Sequence, residues 1–325
     1  MASLKLQITT SMAMLPVSIV IAVLLWLWQA PFTTESALGL LSLLVITLVL
    51  RWGSNTLQLI RVRSWAVSSI FIMLMAVCAP LHGWSLEVMG ITALYMVHIG
   101  ALLFSTYVPR PQLPVFVSAV ALGCLTIVLP QTAWLLPFCA VTMMVPLRIW
   151  SARSLAALIL GLLFPYELWA AWHIVQGTLV EAATAFADTI IPFFSFGEIS
   201  EKGFAPHSSF LTHNPSILLV PVLLFAILSL VHSMRSSMDD KISTRMRYIA
   251  LLLQWPVLLV LVALQTVQSS MPNYQMSMSL VPAWLLCSSP FLARYFVFSR
   301  GWQGGLAFWA FLLALLAMSL YPCFS

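Results

Sequence analysis

Apolar segments and short polar connections alternate along the whole chain, with the segments at about 12–28, 36–50, 65–81, 86–107, 114–129, 131–147, 154–176, 215–233, 248–266, 276–298 and 303–321. A helix rises 1.5 Å per residue and a bilayer's hydrocarbon is about 30 Å thick, so a spanning helix needs roughly 20 mostly apolar residues. The pattern therefore predicts an all-α, polytopic transmembrane helix bundle of about eleven spans. Ten is the alternative, if the Pro-rich pair at 114–147 forms a hairpin that enters and leaves from one face. Many prolines lie within or beside spans, among them Pro165, Pro256 and Pro290, and predict kinks where backbone hydrogen bonds are lost.

Only one connection is long, from about Gly177 to Asn214. Within it Leu179, Ala182, Ala183, Phe186, Ala187 and Ile190 repeat at close to helical spacing, while Glu181, Thr184 and Asp188 fall on another face. The spacing predicts an amphipathic helix over 178–191, ended by Pro192, lying in the interface with its apolar face in lipid or against the bundle. No other connection is large enough for a separate module, so residues 1–325 read as a single integral membrane domain.

Charge then orients the segments. Arg51, Arg61 and Arg63 lie in one connection, Arg110 in the next but one, and Arg148 and Arg153 two further on. Arg235, Lys241, Arg245 and Arg247, then Arg294 and Arg300, continue the alternation, and Lys5 precedes the first segment. Positive charge is retained on the cytoplasmic side, so these residues predict a cytoplasmic N-terminus, a periplasmic C-terminus and a bacterial inner-membrane location. Trp26, Trp28, Trp84 and Trp134 near outer ends, and Trp52, Trp65 and Trp150 near inner ends, agree with that map. The long connection then faces outward, and Lys202 is the one basic residue there, between acids at Glu198 and Glu201.

Composition removes the soluble classes. The chain is 62% hydrophobic and 7% charged, with mean hydropathy +1.02, against about 25% charged residues in water-soluble domains. Its net charge of +5 is accounted for by helix-capping residues facing anionic lipid, so a nucleic-acid partner is not expected. The first segment reads as an uncleaved anchor, because Gln29-Ala30-Pro31-Phe32 is a poor cleavage site. Five cysteines without a CxxC pair give neither a disulfide framework nor a metal motif.

Candidate chemistry is sparse. Glu167 is the one carboxylate placed deep in a segment, just after Pro165-Tyr166, with His173 nearly two turns further on. A charge at that depth is costly, so it is expected to face the bundle interior, as a proton carrier or general acid/base or bonded to a neighbour such as His98 or Gln254. His98 itself reads as an interhelical hydrogen bond. Glu35, in the first outer connection, is the position where many-span polyprenyl-phosphate sugar transferases carry an acidic base or metal partner. It reads equally as a first-turn carboxylate in the helix start Thr33-Thr34-Glu35. His207 and His213 are weak metal candidates, since their spacing fits no zinc motif. There is no phosphate-binding loop, GxGxxG, HExxH or GxSxG, and no cofactor is expected.

Three stretches are distinctive: Asp240-Lys241-Ile242-Ser243-Thr244-Arg245-Met246-Arg247-Tyr248, Gly161-Leu162-Leu163-Phe164-Pro165-Tyr166, and Ser288-Ser289-Pro290-Phe291-Leu292-Ala293-Arg294-Tyr295-Phe296. Together with the layout they make the chain resemble a family of uncharacterised polytopic inner-membrane proteins of Bacteroidota, a resemblance that implies no activity and no catalytic residues. The expected partners are the lipid bilayer, a lipid-linked or small-molecule substrate, and other membrane proteins. The functional expectation is a component of envelope assembly or of envelope glycan and lipid handling. The alternatives are a periplasm-facing polyprenyl-phosphate-linked glycan transferase or ligase, and a proton-coupled transporter centred on Glu167.

Overall fold

The computed structural model describes residues 9, 11–30, 32–60, 64–194, 219–236, 240–269, 278–299 and 301–320. These residues form thirteen α-helices and no strand. In chain order they are α1 (Met14–Gln29), α2 (Thr34–Thr56), α3 (Ala66–Val77), the single turn α4 (Ala79–His82), α5 (Leu86–Phe104) and α6 (Gln112–Val128). After a 3-10 turn at Pro130–Trp134 come α7 (Leu135–Met144), α8 (Ala152–Gln176), α9 (Leu179–Phe194), α10 (Leu219–Ser236), α11 (Ile242–Ser269), α12 (Val281–Phe298) and α13 (Gly301–Leu320).

Each apolar segment of the sequence falls largely on helix where its residues are described, but the helices are unequal. Six are long and apolar enough to cross a membrane: α2, α5, α8, α10, α11 and α12. Met14–Gln29, Ala66–Val77, Gln112–Val128 and Gly304–Leu320 are shorter apolar helices. Local chemistry explains two of the short ones. The segment at 65–81 breaks at Cys78, where Pro80 enters the first turn of α4. The segment at 131–147 begins as a 3-10 turn started by Pro130. The helix α9 departs from expectation in the other direction, since its backbone runs through Pro192 to Phe194. A proline so near a C-terminus removes only one helical hydrogen bond, so it does not end the helix at once.

The chain divides into two compact units, Met1–Met96 with Pro215–Ser325, and Val97–Asn214. In the first, α3 and α12 form the centre. Eleven of the twelve residues of α3 are buried, as is 94% of the apolar window of α12. Around this pair, α1 and α2 pack on α3, α10 and α11 on α12, and α13 on both. Polar groups inside the unit are paired between helices: Tyr95 donates to Gln254 Oε1 at 3.0 Å, Trp255 Nε1 to Ser288 Oγ at 2.9 Å, and Gln265 Nε2 to Ser279 Oγ at 3.2 Å.

In the second unit the dominant contact is α6 against α8, and small residues make it possible. A Cβ on Gly161 would sit 2.6 Å from the Phe116 carbonyl oxygen, and one on Gly123 would sit 2.9 Å from that of Leu162. Glycine at each crossing point lets the backbones approach. Pro165, buried, fills the space beside Gly123. Tyr166 donates to Thr126 Oγ1 at 2.7 Å, and His98 Nδ1 lies 3.0 Å from Ser118 Oγ, the interhelical bond expected of it. Gly177, at φ 70°, ends α8 in the left-handed conformation. The amphipathic helix α9 then turns Phe186 against Tyr166 and Trp169 of α8, with ring centres 6.1 and 5.7 Å apart.

Much apolar surface stays uncovered. Only 22% of the apolar windows of α8 and α10, and 28% of that of α2, is buried. Leu24, Leu41, Leu160, Leu224 and Leu313 all stand exposed. A water-soluble monomer rarely displays contiguous apolar area on this scale, whereas lipid covers it without cost.

Candidate functional site

A cleft of about 630 Å³ opens between the start of α2 and the turn after α3. Its first wall follows from helix capping. Thr33 has extended backbone, its Oγ1 accepts from Ser36 N at 3.2 Å, and Thr33 N donates back to Ser36 Oγ at 3.3 Å. This reciprocal cap fixes the first turn of α2 and places Glu35 on its exposed side, lining the cleft. A carboxylate there is favoured by the unpaired N–H groups of the helix start. The helix-cap reading of Glu35 is therefore present in the geometry, and the same turn is also the edge of a cavity.

The opposite wall is the turn Ala79–Ser85. Gly83 has φ 71° and stops α4. His82, 1% exposed, lies beneath it with Nδ1 at 2.6 Å from the Gly83 carbonyl oxygen and Nε2 at 3.2 Å from that of Met75. A neutral imidazole carries one N–H and so donates to one of these two carbonyls, which holds the ring beneath the turn. The two walls meet because Gly39 of α2 has no side chain. A Cβ at that position would run into the backbone carbonyl of Trp84.

Burial pushes His82 down to about 4, against two carbonyls that push it up. The fold therefore holds the neutral ring, and the unfolded chain binds the extra proton between pH about 6.5 and about 4. Stability at this turn is fully present above the upper limit and falls as pH drops through the window, by about 3 kcal/mol across it. Thermal unfolding in detergent between pH 7.5 and 4.5 is expected to show this loss, and His82→Gln to flatten it. An unchanged slope in that variant would assign the acid sensitivity elsewhere.

The cleft carries polar groups without partners. Both ends of the Gln29 amide and the indole nitrogen of Trp84 are buried and form no hydrogen bond among the described residues. Gln29 and Trp84 both line the cleft, and Trp84 is only 7% exposed. Trp26 Nε1, one turn before Gln29, is in the same condition. Unsatisfied buried donors and acceptors are rare in folded proteins, and a cluster of them beside a cavity calls for a ligand or water. In the sequence Trp84 marks only an interface and Gln29 only a poor cleavage site. The pairing becomes visible only when the turn at 79–85 is brought against α2.

The other candidates fall elsewhere. Glu167 stands on an exposed face of α8, not in the interior, and has no hydrogen bond or ion pair among the described residues. The buried face of α8 is Ser154, Leu158, Gly161 and Pro165, and a residue two positions past Pro165 points about 200° away from it on a helix turning 100° per residue. Gln254, once a possible partner, is engaged by Tyr95 instead. His173 is half-buried, edge-on to Trp169 at 4.8 Å and 2.9 Å from Thr178 Oγ1, where it braces the turn into α9. His207 and His213, with Glu198, Glu201 and Lys202, lie outside the described residues. Among the described residues no group of His, Cys, Asp or Glu is arranged to hold a metal.

A second polar cluster lies at the other end of α2. Arg294 pairs with Asp240, and both side chains are 3% exposed. The same guanidinium donates to Ser236 Oγ at 3.1 and 3.2 Å and lies over the ring of Tyr248 at 4.7 Å. Arg247, also buried, donates to the Leu57 carbonyl. Arg51 stacks on Trp65 at 3.7 Å. Two of the three distinctive stretches, 240–248 and 288–296, thus interlock here. Arg110, Arg148, Arg153, Arg235 and Lys241 are exposed, whereas Arg61, Arg63, Arg300 and Lys5 lie outside the described residues.

Comparison with protein families, curated proteins and solved structures finds no match. The resemblance drawn from the three stretches rests on those residues alone.

Proposed function

We propose that this chain is a multi-pass protein of a bacterial inner membrane that takes part in envelope glycan or lipid handling, with the Glu35 cleft as its working site on the outer face. The single observation that carries the reading is the cleft itself, where the Glu35 carboxylate lines a cavity beside an amide and an indole N–H that have no partner among the described residues. Its side follows from α2, whose 23 residues span about 35 Å, enough to cross a bilayer. Glu35 is at the start of α2, while Arg51 and the Arg247–Arg294 cluster gather at its other end. Retention of positive charge inside puts that cluster in the cytoplasm and the cleft in the periplasm. The N-terminus is then cytoplasmic, the C-terminus periplasmic, and the eleven apolar segments supply about eleven spans.

The transferase version of this reading is favoured by one further feature. Glu35 is exposed on the wall of the cleft, where a carboxylate is able to take a proton from an attacking hydroxyl. Among the described residues nothing comparable surrounds Glu167, and we do not carry the proton-coupled transporter forward.

Two experiments test the proposal. With native cysteines removed, cysteines at Thr34 and Ser243, both exposed, are expected to label from opposite faces of intact cells, and same-side labelling would break the topology. In a strain lacking the gene, Glu35→Ala is expected to abolish complementation at normal protein level, whereas Glu167→Gln complements. Full complementation by Glu35→Ala would remove the cleft as the working site.

A further inference from the structure

We infer that the Glu35 cleft binds the saccharide part of its ligand, a neutral and hydroxyl-rich group, and that Gln29 and Trp84 hold it there. The inference rests on the preceding reading of the cleft as the working site, and adds what enters it. Its volume, about 630 Å³, is within the range of small-molecule sites. The chemistry of the lining selects the class. None of the described lining residues is Lys, Arg or His, so nothing neutralises a phosphate, and the Glu35 carboxylate repels one. An ammonium group suits Glu35 and the tryptophans, but it brings no acceptor, and when quaternary no N–H donor either. Behind the cleft wall lie donors at Gln29 Nε2 and Trp84 Nε1 and the acceptor Gln29 Oε1, without partners among the described residues. A sugar hydroxyl both donates and accepts, so a ring with several of them satisfies all three atoms and Glu35 together.

The walls suit the rest of a sugar. Trp28 lies at the rim, 71% exposed, and presents a flat apolar face to the C–H side of a pyranose ring. Ser85, half-buried on the opposite wall, adds a hydroxyl. The amide and indole nitrogens are now shielded from solvent, so side-chain rotation toward the ligand accompanies binding. A buried carboxamide left with no partner is a standing destabilisation, and a ligand that pairs it gains what the empty protein lacks.

The full-length protein, purified in an amine-oxide detergent that carries no sugar, is titrated with glucose, N-acetylglucosamine, inorganic phosphate and tetramethylammonium while tryptophan fluorescence is followed. At least one of the two sugars is expected to give a saturable change, weakened at least tenfold by Gln29→Ala and by Glu35→Gln and left intact by Glu167→Gln. Glu35 is exposed and Gln is its isostere, so that variant is a fair test of binding once size-exclusion elution and circular dichroism match the parent. Saturation by phosphate or tetramethylammonium alone overturns the inference, as does a sugar response that both variants leave unchanged, or no response to any probe. The complementation experiment separates the levels. Loss of complementation in Glu35→Ala without sugar binding keeps the working site and discards the ligand class. Sugar binding with full complementation does the reverse.

Discussion

Arg294→Met is expected to destabilise the protein by about 3–5 kcal/mol, because it leaves the Asp240 carboxylate buried with its guanidinium partner gone. Both side chains are 3% exposed, so water does not take the place of the lost partner. The substitution also removes both bonds to Ser236 Oγ and the cation above the Tyr248 ring. Asp240→Asn acts on the same pair from the other side and should cost a comparable amount. The coupling is what identifies a buried pair: the double variant Arg294→Met with Asp240→Leu is expected to recover most of the loss, since removing both charges removes the uncompensated one. Thermal unfolding of the parent, Arg294→Met, Asp240→Leu and the double variant in one detergent gives the cycle. Additive effects would mean that the two side chains are not energetically paired. The location sharpens the consequence, since Asp240 leads into α11 and Arg294 lies four residues before the end of α12. Breaking the pair frees that junction at the end of α2 away from the cleft, so stability should fall much more than sugar binding.

The helical layout was legible because the apolar segments are long and each falls largely on helix where its residues are described. What the segment pattern did not carry was where helices break, and Cys78-Ala79-Pro80 shows why: a break inside an apolar stretch leaves hydropathy unchanged. The exposed face of Glu167 has a different origin: residue number gives depth along α8 but not the face, which Ser154, Leu158, Gly161 and Pro165 set by their stripe at helical spacing, with Glu167 opposite it. The small and imino residues, not the carboxylate, are the ones that pack. Glu35 was legible as a helix start from Thr33-Thr34-Glu35-Ser36 alone. Its cavity was not, since the second wall comes from a turn far along the chain and depends on Gly39, Gly83 and His82 meeting. The charge pattern, in turn, does not distinguish exposed Arg110 from Arg247 and Arg294, whose side chains are buried.

Gly39→Ala is expected to be among the most damaging one-carbon changes in the chain, because the added methyl meets the Trp84 carbonyl, which is backbone, and cannot be relieved by a side-chain rotation. Overpacking of this kind costs about 1–3 kcal/mol. Here it also drives α2 away from the 83–85 turn, so the two walls of the cleft, which carry Glu35 and Trp84, separate. The sugar response should therefore be lost together with part of the stability. Gly53 lies in the same helix and supplies the control, since a Cβ there meets nothing within 4 Å. Gly53→Ala removes only the flexibility of a helical glycine and is expected to stabilise by about 0.5–1 kcal/mol with binding unchanged. A helix-wide propensity effect would move both variants the same way, while a specific contact under Gly39 moves them in opposite directions. Equal stability and intact binding in Gly39→Ala would show that α2 does not rest on the Trp84 backbone, and the cleft would lose the contact that holds its walls together.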